Sequence, residues 1–239
     1  MSGFSHEGNA SDRLNRPAGA AASNGSAEPM GSAQNPPSDV AGEPTSFTFD
    51  ALSESEIGLI LQKYPDSRKA SGVLPLLYLV QDQMRRVSGS AWVPRVAMDT
   101  VANRLGMPPI RVYEVATFYL MFNTKPIGRY HLQVCGTTPC WLRGSDDITR
   151  ACRDETGIRG WNADSADGMF TMTEVECLGA CVNAPILQVD SDYYEDLDYD
   201  RTRALLQALR RGERPPVGST TGRMTSAPVG GPTTLLTVE

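Results

Sequence analysis

The chain has 239 residues, a net charge of -6 and a hydrophobic share of 40%, with 22 glycines and 17 prolines. This length suits one or two modest domains, and a mildly acidic chain gains no general attraction to nucleic-acid backbones or anionic lipid. The longest apolar run, residues 73–80, is too short to span a bilayer. We therefore expect no nucleic-acid partner and no direct membrane insertion.

Both ends of the chain have the composition of unfolded segments. Residues 1–45 carry few large apolar side chains, so they cannot offset the entropy of ordering, and we expect a disordered tail. The first thirty residues lack the apolar centre of a secretory signal and the acid-poor composition of a transit peptide, so we expect the chain to stay in the reducing compartment where it is made. Residues 213–239, rich in Pro, Gly and Thr, are predicted to form an extended C-terminal arm.

Residues 46–125 predict a small helical bundle. Ser53 and Glu56 have the spacing of a capping box, which predicts the start of the first helix. An apolar stripe between residues 74 and 87 recurs at helical spacing and predicts the second. Three further helix boundaries are marked by residues that open or end helices: Pro94, Gly106 and Pro108.

Residues 126–212 predict alternating strands and helices. Residues 129–135 alternate like a strand that ends at Cys135, and a helix follows over residues 145–155. Two more strands and a helix capped by Asp200 come after it. The order strand, helix, strand, strand, helix predicts a thioredoxin-like sandwich, so the fold class is α/β, with a helical bundle before it and disordered tails around it.

Four of the five cysteines form two close pairs, Cys135 with Cys140 and Cys177 with Cys181. Four residues lie between the members of the first pair, three between those of the second, and 36 between the pairs. In the predicted elements, all four follow strands or lie in the turns after them. Because turns at one end of a sheet are neighbours in space, we expect four thiolates to converge on one metal site.

The residues beside these cysteines suit a buried anionic centre. Gly136 and Gly179 leave room for backbone N–H groups to approach sulfur, and the Arg143 guanidinium can offset negative charge. Structural zinc uses the same thiolates at similar spacing, so spacing alone does not separate zinc from iron–sulfur. A disulfide framework fits a reducing compartment poorly. The fifth cysteine, Cys152, lies on the apolar face of a predicted helix, so we expect it in the core.

Four segments together resemble a known family. They read CGTTPCWLRG at residues 135–144, ECLGACVNAP at 176–185, GMPPIRVYEVATFY at 106–119 and YYEDL at 193–197. They closely resemble the peripheral [2Fe–2S] subunit of NADH:quinone oxidoreductase, respiratory complex I. This is the E subunit of bacteria and the smaller flavoprotein subunit of mitochondria. The resemblance covers about residues 46–212, and SAPVGGPT at 226–233 also looks like the tail of this family.

This resemblance implies a helical domain joined to a thioredoxin-like [2Fe–2S] domain. It implies one [2Fe–2S] cluster, carried over to Cys135, Cys140, Cys177 and Cys181. It also implies partners: a flavoprotein subunit that binds FMN and NADH, and other peripheral-arm subunits of complex I. The chain is then part of an enzyme without catalytic residues of its own. We expect it on the cytoplasmic side of the bacterial inner membrane, rather than on the mitochondrial matrix side.

Three other functions stay open from the sequence. Diaphorase-type subunits of NAD-linked hydrogenases and formate dehydrogenases resemble the chain too. The helices on either side of Gly106 have helix–turn–helix spacing, which a DNA-binding regulator uses, but the second offers Arg111 with few other polar groups. A thiol–disulfide oxidoreductase lacks its usual C-x-x-C motif here. For a protein partner, the candidate docking residues on the bundle are the aromatic side chains Tyr113, Phe118, Tyr119 and Phe122.

Overall fold

The computed structural model of the chain describes residues 42–228, 230–231 and 234. Residues 1–41, most of the predicted N-terminal tail, lie outside the described residues. The first described elements form the predicted helical bundle. Its four helices are α1 (Ala51–Leu61), α2 (Val73–Ser88), α3 (Arg95–Leu105) and α4 (Pro109–Phe118).

The ends of the bundle helices are fixed by local hydrogen bonds and glycine. Asp50 caps α1, because its Oδ1 accepts the Ser53 N–H at 2.8 Å and so satisfies a donor that the first turn leaves unpaired. Ser53, the predicted cap, instead lies buried inside that turn. Gly89 and Gly106 end α2 and α3 with positive φ, and the end at Gly106 is the one predicted above.

The core of the bundle draws on all four helices and on the segment before α3. Most of the stripe predicted on α2 is buried, but its last member, Val87, lies in the final turn and is 68% exposed. Trp92 and Val93 fill the space between helices. The fully buried side chains include Ile57, Leu76, Leu77, Val80, Val101 and Val112.

The second part of the fold is a six-stranded sheet. Its strands are β1 (Tyr130–Cys135), β2 (Ala163–Asp164), β3 (Phe170–Val175), β4 (Leu187–Val189), β5 (Asp192–Glu195) and β6 (Gly218–Ser219). They lie in the order β2-β3-β1-β4-β5-β6. The central strand β1 runs parallel to β3 and antiparallel to β4. The segments after β1 and β3 and the segment before β4 therefore meet at one end of the sheet.

Three helices accompany the sheet: α5 (Thr138–Leu142), α6 (Ser145–Thr156) and α7 (Tyr199–Arg210). Helices α6 and α7 pack against each other and cover a second core, which includes Leu132, Ile148, Phe170, Met172, Leu187 and Leu206. The cap of α7 is Asp198, whose carboxylate accepts the Arg201 N–H at 2.8 Å, and not the predicted Asp200. No helix in the described part of the chain is long and apolar enough to cross a bilayer.

Two strands at one edge of the sheet are not indicated by the sequence pattern. β5 forms a hairpin with β4, and β6, from the C-terminal arm, adds in parallel to β5 with Gly218 opposite Tyr194. Both strands are short, which leaves little room for an alternating pattern. The described part of the arm is thus anchored to the sheet.

Candidate metal centre

The first cysteine pair lies where β1 ends and a short helix begins. Cys135 is the last residue of β1, and Cys140 lies in α5, two residues after its start. Both side chains are buried, and their thiols are hydrogen-bonding partners. The sheet therefore delivers one thiol and the helix that follows delivers the other to the same place.

The second pair lies between β3 and β4. Cys177 follows β3 and is exposed, and Cys181 begins a 3₁₀ turn, Cys181–Asn183, and is half-buried. Their Sγ atoms lie 3.4 Å apart. Gly179, with φ of +83°, donates its N–H to the Cys177 Sγ at 3.4 Å, as the sequence predicts for this glycine.

Contacts between the two loops bring the pairs together. Leu178 and Ala180, in the second loop, pack against the buried Cys135 and Cys140 of the first. The Thr137 hydroxyl lies 3.3 Å from the Cys135 Sγ. A small apolar cluster under the loops contains both buried thiols with Ile186. The two loops therefore lie in contact at this end of the sheet, and the binding of one cluster by all four thiols stays a prediction.

Within each pair the two thiols have different proton affinities. Burial and the neighbouring Cys135 thiol raise the pKa of Cys140 to about 12. Burial alone would also raise the pKa of Cys135, but hydrogen bonds from Thr137 and Leu178 outweigh it and lower that pKa. In the other pair, the Gly179 N–H lowers the pKa of Cys177. Each thiol must lose its proton to bind a metal as a thiolate, and this step costs more at Cys140 than at Cys135.

In the second pair, the hydrogen bond with Cys177 raises the pKa of the Cys181 thiol. The fifth cysteine lies apart from both pairs. Cys152 is fully buried on α6, in the core under the sheet, and burial raises the pKa of its thiol to about 12. It packs as a small apolar side chain, which is the role that the sequence predicts for it.

The donor set fits a two-iron cluster. A [2Fe–2S] cluster takes four thiolates, two on each iron, and the chain supplies two close pairs at one end of the sheet. Among the residues that the structure describes, no three His, Cys, Asp or Glu side chains are grouped to hold a single metal ion.

Several residues near the thiols have contacts that the sequence does not indicate. A Cβ added at Gly136 would lie 2.7 Å from Oε1 of Glu174, so this glycine makes room for a carboxylate beside the first loop. Arg143 donates its Nε–H to the Ala184 carbonyl at 3.4 Å. Thr137 lies between Cys135 and Cys140 in the chain, and this position is the sequence signal that points to it.

Exposed apolar side chains surround the cysteine loops. Trp141 is 58% exposed, Leu142 71% and Val182 65%, and we call these three the cysteine rim. The aromatic residues proposed for docking on the bundle divide into two groups. Phe118 and Tyr119 are exposed, whereas Phe122 is buried in the core and the half-buried Tyr113 donates its hydroxyl to Asp99.

With the geometry established, the family of the chain can be assigned. The model of the family described as thioredoxin-like [2Fe–2S] ferredoxin matches residues 57–210, more than half of the chain. The chain belongs to this family. Its cofactor is one [2Fe–2S] cluster, which confirms iron–sulfur over zinc. The thioredoxin-like fold expected for the sheet domain is confirmed as well.

Curated relatives agree with this assignment. The E subunit of NADH-quinone oxidoreductase from Rickettsia bellii (strain RML369-C) is 50% identical over 166 residues, which cover 70% of this chain and 96% of that protein. Its counterpart from Rickettsia conorii (strain ATCC VR-613 / Malish 7) has the same identity over the same length and coverage. The expected likeness to E subunits of an oxidoreductase complex is confirmed.

Solved structures give weaker likenesses. The NAD+-reducing [NiFe]-hydrogenase in the H2-reduced state is 20% identical with a TM-score of 0.49, covering 59% of this chain and 23% of that chain. The chain thus spans about a quarter of the hydrogenase chain it matches. The thioredoxin-like [2Fe–2S] ferredoxin from Aquifex aeolicus is 21% identical with a TM-score of 0.30, covering 36% of this chain and 89% of that one.

Proposed function

We propose that this chain is the electron-transfer subunit of an NADH-quinone oxidoreductase, and that four thiolates hold its cluster: Cys135, Cys140, Cys177 and Cys181. The observation that supports this is the convergence of the two cysteine loops. Leu178 and Ala180 of the second loop pack against the buried Cys135 and Cys140 of the first.

Hydrogen-bond donors beside the thiols stabilise negative charge on sulfur. When bound, the cluster accepts and releases one electron at a time. The Gly179 N–H and the Thr137 hydroxyl lie within hydrogen-bond distance of sulfur, and donors of this kind stabilise the more negative state of the cluster. Cys177 is exposed, so an electron entering from a partner has little protein to cross at this side of the site.

A partner must supply the two-electron chemistry. NADH gives up a hydride, which carries two electrons, and flavin is suited to divide that pair. The sequence has no G-x-G-x-x-G fingerprint for a dinucleotide. We assign the FMN and NADH sites to a flavoprotein subunit, with other subunits of the peripheral arm beyond it.

We propose the cysteine rim as the surface that contacts the flavoprotein. Its three members are large, apolar and exposed, and each lies within two residues of Cys140 or Cys181 in the sequence. Apolar residues at the centre of an interface bind by losing contact with water, and contact here keeps the electron path short. In this arrangement the chain lies in the peripheral arm, on the cytoplasmic side of the bacterial inner membrane.

The test is to express the chain alone and together with its flavoprotein partner, and to assay NADH oxidation with ferricyanide. We expect no activity from the chain alone. On co-expression we expect activity, and the EPR signal of a reduced [2Fe–2S] centre after NADH is added. Bound FMN and NADH oxidation in the lone chain would refute the division of labour, and an NADH-reduced complex without this signal would refute the electron-transfer role.

A further inference from the structure

The C-terminal arm lies behind the turn that carries Cys181. Strand β6 pairs with β5, and the Thr220 hydroxyl donates to the Glu195 carbonyl at 2.9 Å. The arm then passes the turn Cys181–Asn183, which joins the second cysteine loop to β4. A segment distant in sequence from the thiols is thus a direct neighbour of the turn that carries one of them.

A nearly buried ion pair fixes the arm in this place. The Arg223 side chain is 10% exposed and that of Asp196 is 6% exposed. The guanidinium donates to both carboxylate oxygens, with Nη2 on Oδ1 and Nε 3.2 Å from Oδ2. The Ser219 hydroxyl adds a hydrogen bond of 2.6 Å to the same carboxylate. Bidentate pairing of this kind sets orientation as well as contact.

The same two residues hold the turn. The Asp196 N–H donates to the Asn183 carbonyl at 2.7 Å, and Arg223 Nη1 lies 3.5 Å from the Val182 carbonyl. The Asn183 side-chain amide donates to the Thr225 carbonyl in the arm at 2.7 Å. Val182 and Asn183, the two residues that follow Cys181 in this turn, are therefore hydrogen-bonded to the C-terminal arm or to Asp196.

We propose that Arg223 is a positioning residue for the Cys181 thiolate. This inference rests on the proposed function, in which Cys181 is a cluster ligand. The turn lies outside the strand ladders, so side-chain contacts must supply the order that a ligand needs. Arg223, through Asp196 and Asn183, fixes the backbone that aims the Cys181 sulfur, and it does so without contacting the thiol.

The experiment uses the full-length, cluster-loaded chain and three variants. Arg223→Met removes the guanidinium and keeps a side chain of similar length. Arg223→Lys keeps the positive charge but lacks the planar guanidinium that pairs with both carboxylate oxygens. The matched control, Arg211→Ala, breaks an exposed pair with Glu213 that lies near the arm but does not touch the turn. The readouts are the EPR spectrum, the midpoint potential and the rate at which a chelator bleaches the visible absorbance.

We expect Arg223→Met to lose its cluster roughly tenfold faster than wild type, because partners that orient ligands commonly contribute this much. The EPR g-values and the midpoint potential of Arg223→Met should shift. Arg223→Lys should give values between those of Arg223→Met and wild type, and Arg211→Ala should match wild type in all three readouts. Unchanged spectrum, potential and bleaching rate in Arg223→Met would overturn the inference. Faster bleaching with unchanged spectrum and potential would also overturn it, because Arg223 would then only support the fold.

A variant of the partner carboxylate tests the same ion pair if Arg223→Met folds poorly. Asp196→Asn removes the negative charge, and asparagine tolerates the left-handed backbone at this position, where φ is +52°. It should shift the same three readouts in the same direction, and wild-type values in this variant would overturn the inference. A wild-type chain that binds no [2Fe–2S] cluster would overturn both this inference and the proposed function, whereas failure of the variants alone leaves the proposed function standing.

Discussion

Nη1 of Arg85, on α2, lies 2.6 Å from Oδ2 of Asp190, which directly follows β4. The Asp190 side chain is only 3% exposed. The other carboxylate oxygen, Oδ1, accepts the backbone N–H of His131 at 2.9 Å. Nη2 of Arg214, from the C-terminal arm, lies 3.2 Å from Oδ2. One buried carboxylate therefore ties the helical bundle, the sheet and the arm together.

Removing this carboxylate should destabilise the protein strongly. We expect Asp190→Ala to lower the free energy of unfolding by roughly 3 kcal/mol, because two arginines lose a buried partner. Arg111→Ala is the matched control, since its pair with Glu114 is exposed on both sides, and it should cost less than about 1 kcal/mol. Urea unfolding of both variants measures the difference. Equal losses of unfolding free energy in the two variants would contradict the conclusion that Asp190 joins the bundle, the sheet and the arm.

Replacing individual cysteines separates ligands from core. Cys177→Ser should lose or severely destabilise the cluster, because a ligand thiolate is removed. Cys152→Ala should keep the cluster and cost about 1 kcal/mol, since it removes one sulfur from a packed core. Iron analysis and chemical unfolding of the purified variants check this. Cluster loss in Cys152→Ala with retention in Cys177→Ser would reverse the assignment.

Acid should weaken the fold through His131. Burial lowers the pKa of this side chain to about 4, below its ordinary value of 6.5. The unfolded chain then binds more protons between these values, so the stability contributed by neutral His131 is complete above pH 6.5 and is lost as the pH falls toward 4. Between pH 7.5 and pH 5 the loss should be about 2 kcal/mol.

The matched variant for this titration is His131→Gln, which keeps a polar group near Thr173, the partner 2.9 Å from Nε2. Urea unfolding at the two pH values should show a smaller loss in the variant than in wild type. Parallel losses in both proteins would show that other groups cause the acid sensitivity.

A charge on the cysteine rim should weaken binding of the flavoprotein and spare the cluster. We expect Trp141→Glu to reduce affinity roughly tenfold or more, because a buried aromatic anchor contributes at least this much at an interface centre. Leu59→Glu is the control, as Leu59 on α1 is equally exposed but distant in sequence from the cysteine loops. Titration of the flavoprotein, followed by NADH–ferricyanide activity, gives both affinities. Equal weakening would place the interface elsewhere.

Long periodic elements of this fold are predictable from the sequence. The four bundle helices and the strand ending at Cys135 follow from apolar spacing and from Gly and Pro signals. The capping residue of an individual helix is less predictable. Asp50 and Ser53 are both good N-caps and lie three residues apart, so tertiary packing decides between them. The same ambiguity separates Asp198 from Asp200.

The positions of the two cysteine pairs are predictable from the sequence, and the residues that support them are not. Cysteine spacing and strand order place both pairs at one end of the sheet. Helix α5, which carries Cys140, has only 5 residues, too few for a helical period to show. The contact of Arg223 with Asp196 joins residues 27 apart across an irregular segment, and no local pattern encodes such a pairing.

The central claim is that the four thiols of the two loops hold one [2Fe–2S] cluster. The most direct measurement is iron and sulfide analysis of the anaerobically purified chain, with visible absorption and EPR after reduction. We expect a red-brown protein with about two irons and two sulfides per chain, and the EPR signal of a single reduced [2Fe–2S] centre. A colourless protein with stoichiometric zinc and no EPR signal on reduction would contradict the account.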